Sequence, residues 1–158
     1  MQRRKETAAK ILFWLPAILW VAAVILLSRQ SAADSSRLSG SLTEFLLRVF
    51  PGIELSATEL EPILRKLAHA AMFAVEGLLL CIAAGKSFGR RPGAALAAGI
   101  SALLAVGSEL VQTIADGRSC ELRDMGIDFG GALLGIAAGL LLMLFIDKLS
   151  RRRVTNQR

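Results

Sequence analysis

Four stretches of this chain are nearly free of charge and long enough to cross a lipid bilayer, and no other feature narrows the choice of fold so far. They are Ile11–Leu27 (ILFWLPAILWVAAVILL), Lys66–Gly85, about Gly93–Ala115, and Met125–Ile146. Runs of about 17 to 20 apolar residues match the length a helix needs to span ~30 Å of hydrocarbon. Hydrophobic residues make up 54% of the 158, and the charges gather between the runs. The expected fold is an all-α integral membrane protein: a bundle of four transmembrane helices plus an amphipathic helix in the first outer loop. It forms one unit with no separate soluble module.

The net charge of +6 would suit nucleic acid, but its placement argues against that partner. Arg3, Arg4, Lys5 and Lys10 precede the first run. Lys86, Arg90 and Arg91 lie between the second and third. Lys148, Arg151, Arg152, Arg153 and Arg158 follow the fourth. These twelve of the 19 basic residues fall on one side of a four-span chain. The positive-inside rule puts that side, with residues 1–10 and the tail 147–158, in the cytoplasm. Residues 28–65 and the Ala115–Asp124 loop then face outward. Cys81 and Cys120 fall toward opposite sides, so no bridge between them is expected.

The first run, taken as transmembrane segment 11–27, has a second reading. A basic start, an apolar core and SAA before Asp34 also describe a signal peptide. The length of the core, with Trp14 and Trp20, favours a retained helix. In residues 28–65, Leu38, Leu42, Phe45, Leu46, Val49 and Phe50 recur at helical spacing before Pro51-Gly52. This helix either packs on the rest of the protein or lies at the membrane interface. Thr58 with Glu61 resembles a capping box, with Pro62 in the first turn, so the next helix is expected to start near Glu59. It leads into a core of three spans, 66–146.

Polar residues within those spans share one face and one depth. Lys66, His69, Phe73 and Glu76 form one stripe. Glu109 and Gln112 extend a stripe through Ala105, Ala102 and Ala98. Asp124 and Asp128 run on into Gly131, Gly135 and Gly139, a small-xxx-small pattern that lets helices approach closely. Lys66, His69, Glu109, Gln112, Asp124 and Asp128 lie within about two turns of the outer surface at ~1.5 Å per residue, and Glu76 lies deeper. Charges at that depth need partners. Arg65, Lys66, His69, Arg118 and Arg123 are the candidates. The expected result is an outward-facing polar pocket of Lys66, His69, Glu109, Gln112, Arg118, Asp124 and Asp128, with Glu76 a possible deeper member. Blander readings stand beside this one. Arg65 and Lys66 also suit interface markers, His69 a packing residue, the acids an interhelical salt-bridge lock, and Glu76 a protonated, hydrogen-bonded carboxyl.

These residues resemble the VanZ-like family of membrane proteins. The matching pieces are Arg65-Lys66-Leu67-Ala68-His69 with Phe73, then Glu109-Leu110-Val111-Gln112, Gly117-Arg118-Ser119, and Asp124 and Asp128 with Gly131. In the family they read R-K-x-x-H, E-x-x-Q, G-R and D-x-x-x-D-x-x-G. The resemblance covers roughly residues 60–140. Ala70 and Met72 depart from it, standing where members often carry an aromatic and a glutamate. The resemblance implies a multi-pass protein of the bacterial plasma membrane. The family's namesake is associated with low-level resistance to the glycopeptide teicoplanin.

Three classes of function follow. The pocket binds the headgroup of a membrane lipid or cell-wall precursor, with Lys66, Arg118 and His69 facing phosphate or carboxylate. Alternatively, His69 and its neighbouring carboxylates do acid–base work on a lipid-linked substrate. No cofactor is expected, although His69, Glu109, Asp124 and Asp128 would also suit manganese or magnesium. Thirdly, the cluster locks the bundle and function lies with a partner protein, which includes a homo-oligomer. No glycine phosphate loop, zinc motif or serine-hydrolase elbow is present.

Overall fold

A computed structural model of the protein describes residues 2–52, 54–114 and 120–155, with side chains for 10–52, 54–114 and 120–152. It contains five helices: α1 (Gln2–Ser28), α2 (Ala32–Val49), α3 (Ala57–Phe88), α4 (Arg90–Gln112) and α5 (Leu122–Thr155). All except α2 are long and apolar enough to cross a membrane. The protein is an all-α integral membrane protein with four spans and one shorter amphipathic helix. Its outward faces carry large apolar side chains that no protein surface covers, among them Ile18, Leu103, Leu134, Leu141 and Phe145. A water-facing surface would not hold so much apolar area.

The helices outrun the apolar stretches. α1 begins at Gln2 and α5 continues to Thr155, well into the basic tail. Arginine, lysine and glutamate are good helix formers, so the backbone stays helical where the hydropathy drops. α3 starts at Ala57, two residues before the expected point, capped by Ser56. The Ser56 amide donates to Glu59 Oε2 at 2.9 Å. The expected cap pair, Thr58 with Glu61, does not form. Glu61 is instead held by Arg65 Nη2 at 2.9 Å and by the Ser39 hydroxyl at 3.2 Å. Pro62 accordingly sits beyond the first turn of α3.

Between the second and third apolar runs the connection shrinks to one residue. α3 ends at Phe88, α4 begins at Arg90, and Gly89 turns the chain at φ +93°. Only glycine adopts that angle cheaply. Pro92 falls in the first turn of α4, where its missing N–H is no loss.

α3 is the central helix, and its largest contact is with α5. Ala70, Ala74, Gly77 and Cys81 face Gly131, Ala132, Gly135 and Gly139. A Cβ added at Gly131 or Gly135 would land on the carbonyl oxygen of Ala70 or Ala74, and one at Gly77 on that of Ala132. The small-residue pattern thus brings two backbones together without intervening side chains. α4 packs through Gly93, Ala97, Ser101, Ala105, Ser108 and Gln112. That face is rotated slightly from the expected one, and leaves Ala98 and Ala102 half-buried. α1 is tied to α3 by its two indoles: Trp20 Nε1 donates to the Met72 carbonyl at 2.9 Å, and Trp14 Nε1 to Ser87 Oγ at 3.0 Å. One apolar cluster holds Val24, Phe73, Ala105 and Ala132; another holds Ala17, Leu80, Cys81, Ala97, Ile136 and Met143.

α2 packs with its polar side inward. Ser39 and Thr43 are buried, while Leu38, Leu42, Phe45 and Val49 are exposed. Ser36 and Ser39 hydrogen-bond Arg65 and Glu61 of α3. The helix thus packs on α3, as the first of its two readings has it, but through its polar side, and its apolar face is left exposed.

Candidate functional site

α3 and α5 both begin at one end of the bundle, and α4 ends there. The register that seats Gly131 and Gly135 against Ala70 and Ala74 also sets polar side chains opposite each other. Lys66 Nζ lies 3.5 Å from Asp124 Oδ1. His69 Nδ1 lies 3.4 Å from Asp128 Oδ1. Each pair links α3 to α5, about one turn apart on both helices.

Between them is a cavity of about 210 Å³. Its walls are Ala32, Pro62, Arg65, Lys66, His69, Gln112, Glu121, Asp124, Ile127 and Asp128. Five of the expected pocket residues, Lys66, His69, Gln112, Asp124 and Asp128, therefore meet around one space.

Glu109 is near them but does not line the space. It is buried, and both its oxygens are occupied: Oε1 accepts from Gln112 Nε2, and Oε2 from the Glu121 amide at 3.0 Å. That amide lies just before α5, so Glu109 ties the end of α4 to the start of α5. Glu76 is deeper still. The Ser101 hydroxyl lies 2.9 Å and 3.2 Å from its two oxygens, and both residues are buried. At ~1.5 Å per residue, Glu76 is about 10 Å below His69 along α3, outside the cavity walls. Arg118 lies outside the described residues. Among the described residues, no three His, Cys, Asp or Glu side chains are grouped to hold a metal ion.

Asp128 is the unusual member. Its side chain is 0% exposed, and neither oxygen has a hydrogen-bond donor among the described residues. Two other buried side-chain atoms among them also lack a hydrogen-bond partner, Asp124 Oδ1 and Arg65 Nε. The contacts at 3.4 Å and 3.5 Å are longer than N–H···O bonds, which fall at about 2.7–3.2 Å. Buried polar groups are nearly always satisfied in native proteins. Here all four orphaned atoms belong to residues lining the same cavity.

In the sequence Arg65 stands as a candidate partner for the acids, as an interface marker and as the first residue of the R-K-x-x-H stretch, but not among the pocket residues. Its guanidinium is held from one side: Nη2 donates to Ser36 Oγ at 2.8 Å and to Glu61 Oε1 at 2.9 Å. Its place beside Lys66 in the R-K-x-x-H stretch was the available signal. Ser101 was also missed. It falls midway between Ala97 and Ala105 on the small-residue face of α4, and that spacing would have found it. The Glu121 amide gave no signal in the sequence.

A family model described as VanZ/LLP1 matches residues 13–146. The chain belongs to the VanZ/LLP1 family. No curated protein and no solved structure matches it. The VanZ/LLP1 match reaches into all four spans and takes in every residue lining the cavity. It reaches back through α2 into α1, well beyond the stretch in which motifs were legible.

Proposed function

We propose that this VanZ/LLP1 protein sits in the bacterial plasma membrane with its polar cavity opening outward. There it binds the headgroup of an envelope lipid or lipid-linked cell-wall precursor, and so modulates susceptibility to teicoplanin. The observation that carries this reading is the set of four unsatisfied buried atoms around one cavity. A structural lock satisfies its own charges, as Glu109 does. Asp128 is buried at the cost of desolvation and, among the described residues, has only the 3.4 Å approach of His69 in return. A donor-bearing ligand supplies what is missing. The orientation rests on the basic residues at the opposite end, including Lys86, Arg90 and Lys148.

The test is to purify the wild type and Asp128→Asn from bacterial membranes in mild detergent and weigh their bound lipids by native mass spectrometry. A lipid carried by the wild type and lost from the variant, at equal abundance, is the expected result. Teicoplanin sensitivity should shift with that loss. Identical lipid content in the two proteins overturns the reading.

One contact favours a second reading. His69 presents Nδ1 to a buried carboxylate, the arrangement that orients a general base. Under that reading the cavity processes a lipid-linked substrate, and His69→Gln leaves lipid bound while turnover stops.

A further inference from the structure

The polar cavity shares a wall with a second, apolar space. That crevice, about 160 Å³, lies between α1, α2 and α3. Val24, Leu38, Leu42, Leu64, Met72 and Phe73 line it, and Arg65 and His69 border both spaces. A charged chamber and an apolar slot therefore adjoin across two side chains. The free apolar face of α2 contributes Leu38 and Leu42 to the slot, which gives that face a use.

The orphaned atoms define the polar end of the occupant. Asp128 Oδ1, Asp128 Oδ2 and Asp124 Oδ1 are three acceptors with no hydrogen-bond donor among the described residues, on residues one turn apart, although Lys66 and His69 stand 3.5 Å and 3.4 Å from two of them. An ammonium group carries three N–H donors. Arg65 Nε is a donor with no acceptor among the described residues, and Lys66 lines the same cavity. Together they suit a phosphate. The wall carries three carboxylates (Glu121, Asp124 and Asp128) against Arg65 and Lys66, so a purely anionic headgroup is disfavoured.

From this we infer that the ligand is an amine-bearing phospholipid of the phosphatidylethanolamine class. Its headgroup lies in the polar cavity, and one acyl chain passes Arg65 and His69 into the α1–α2–α3 crevice. The inference rests on the reading of the cavity as a headgroup site and adds the ligand class and the path of the chain.

The experiment uses the full chain in lipid nanodiscs containing phosphatidylethanolamine with a photoreactive diazirine in one acyl chain. Cross-linked residues are mapped by mass spectrometry. Labelling is expected at Met72, Leu42 and Leu64 of the crevice. It should fall to background in Asp128→Asn, which releases the head, and in Ala68→Trp, which fills the slot from an exposed position. Labelling at Leu103 and Leu134, on lipid-facing surfaces, should persist in both variants. Phosphatidylglycerol with the same tail lacks the ammonium and should label the crevice roughly tenfold less, the loss expected for a charge-assisted bond. Equal labelling by the two lipids overturns the headgroup class. If Asp128→Asn sheds its co-purified lipid while crevice labelling is unchanged, the cavity reading stands and the chain path is wrong. Unchanged lipid content and unchanged labelling together overturn both.

Discussion

Glu109 and Asp128 are two buried carboxylates with opposite circumstances. Glu109 accepts from Gln112 and from the Glu121 amide, whereas Asp128 has His69 beside it and no hydrogen bond among the described residues. Removing Glu109 strands two donors, each worth about 1–3 kcal/mol when left unsatisfied. Glu109→Ala is therefore expected to lower thermal stability in detergent by roughly 2 kcal/mol or more. Asp128→Asn loses only the long 3.4 Å contact with His69 and removes a buried charge, so the empty protein should melt close to the wild-type temperature. Melting curves of the two variants in one detergent check this. An Asp128→Asn protein less stable than Glu109→Ala would show that Asp128 is part of the lock after all.

At the scale of the helix, the α3–α5 contact depends on missing side chains. Gly135→Val places a Cβ on the Ala74 carbonyl oxygen, a backbone atom that cannot move aside. Overpacking of this kind costs about 1–3 kcal/mol where the surroundings yield, and more is expected here. Gly130→Ala, on the same helix, meets nothing within 4 Å. It should be neutral or stabilising by up to ~1 kcal/mol, because alanine is the better helix former. Expression and thermal stability of the pair give the comparison. These elements were largely legible in the sequence. Charge-free runs mark what lipid will accept, and the Gly131, Gly135 and Gly139 spacing marked the close face. Helix ends were not legible, because hydropathy reports where hydrocarbon stops and not where backbone hydrogen bonding stops. Five cavity residues were visible as stripes. The turning of Glu109 toward the Glu121 amide was not, since it depends on the path of a connecting loop, which no periodicity encodes. Arg65 was hidden for a similar reason: its pose is set by Ser36, on a helix distant in sequence.

At the scale of the molecule, charge is divided between the two ends of the bundle. Lys66, His69, Asp124 and Asp128 occupy one end, and Arg90 pairs with Asp147 at 3.0 Å toward the other. The proposed orientation is checked with Cys120, which is exposed near the cavity end, while Cys81 is buried. A membrane-impermeant thiol reagent applied to intact cells should modify Cys120 and leave Cys81 untouched. Labelling that requires lysis would invert the orientation and place the cavity toward the cytoplasm.

The single-residue joint at Gly89 also bears on how the protein is made. α3 and α4 are linked by no loop that might wait on one side of the membrane while the next segment emerges. Gly93 packs against the backbone of Ala84 and Gly85 within the first turn after the joint. The two spans are therefore expected to enter the bilayer together as a helical hairpin, so that neither is inverted without the other.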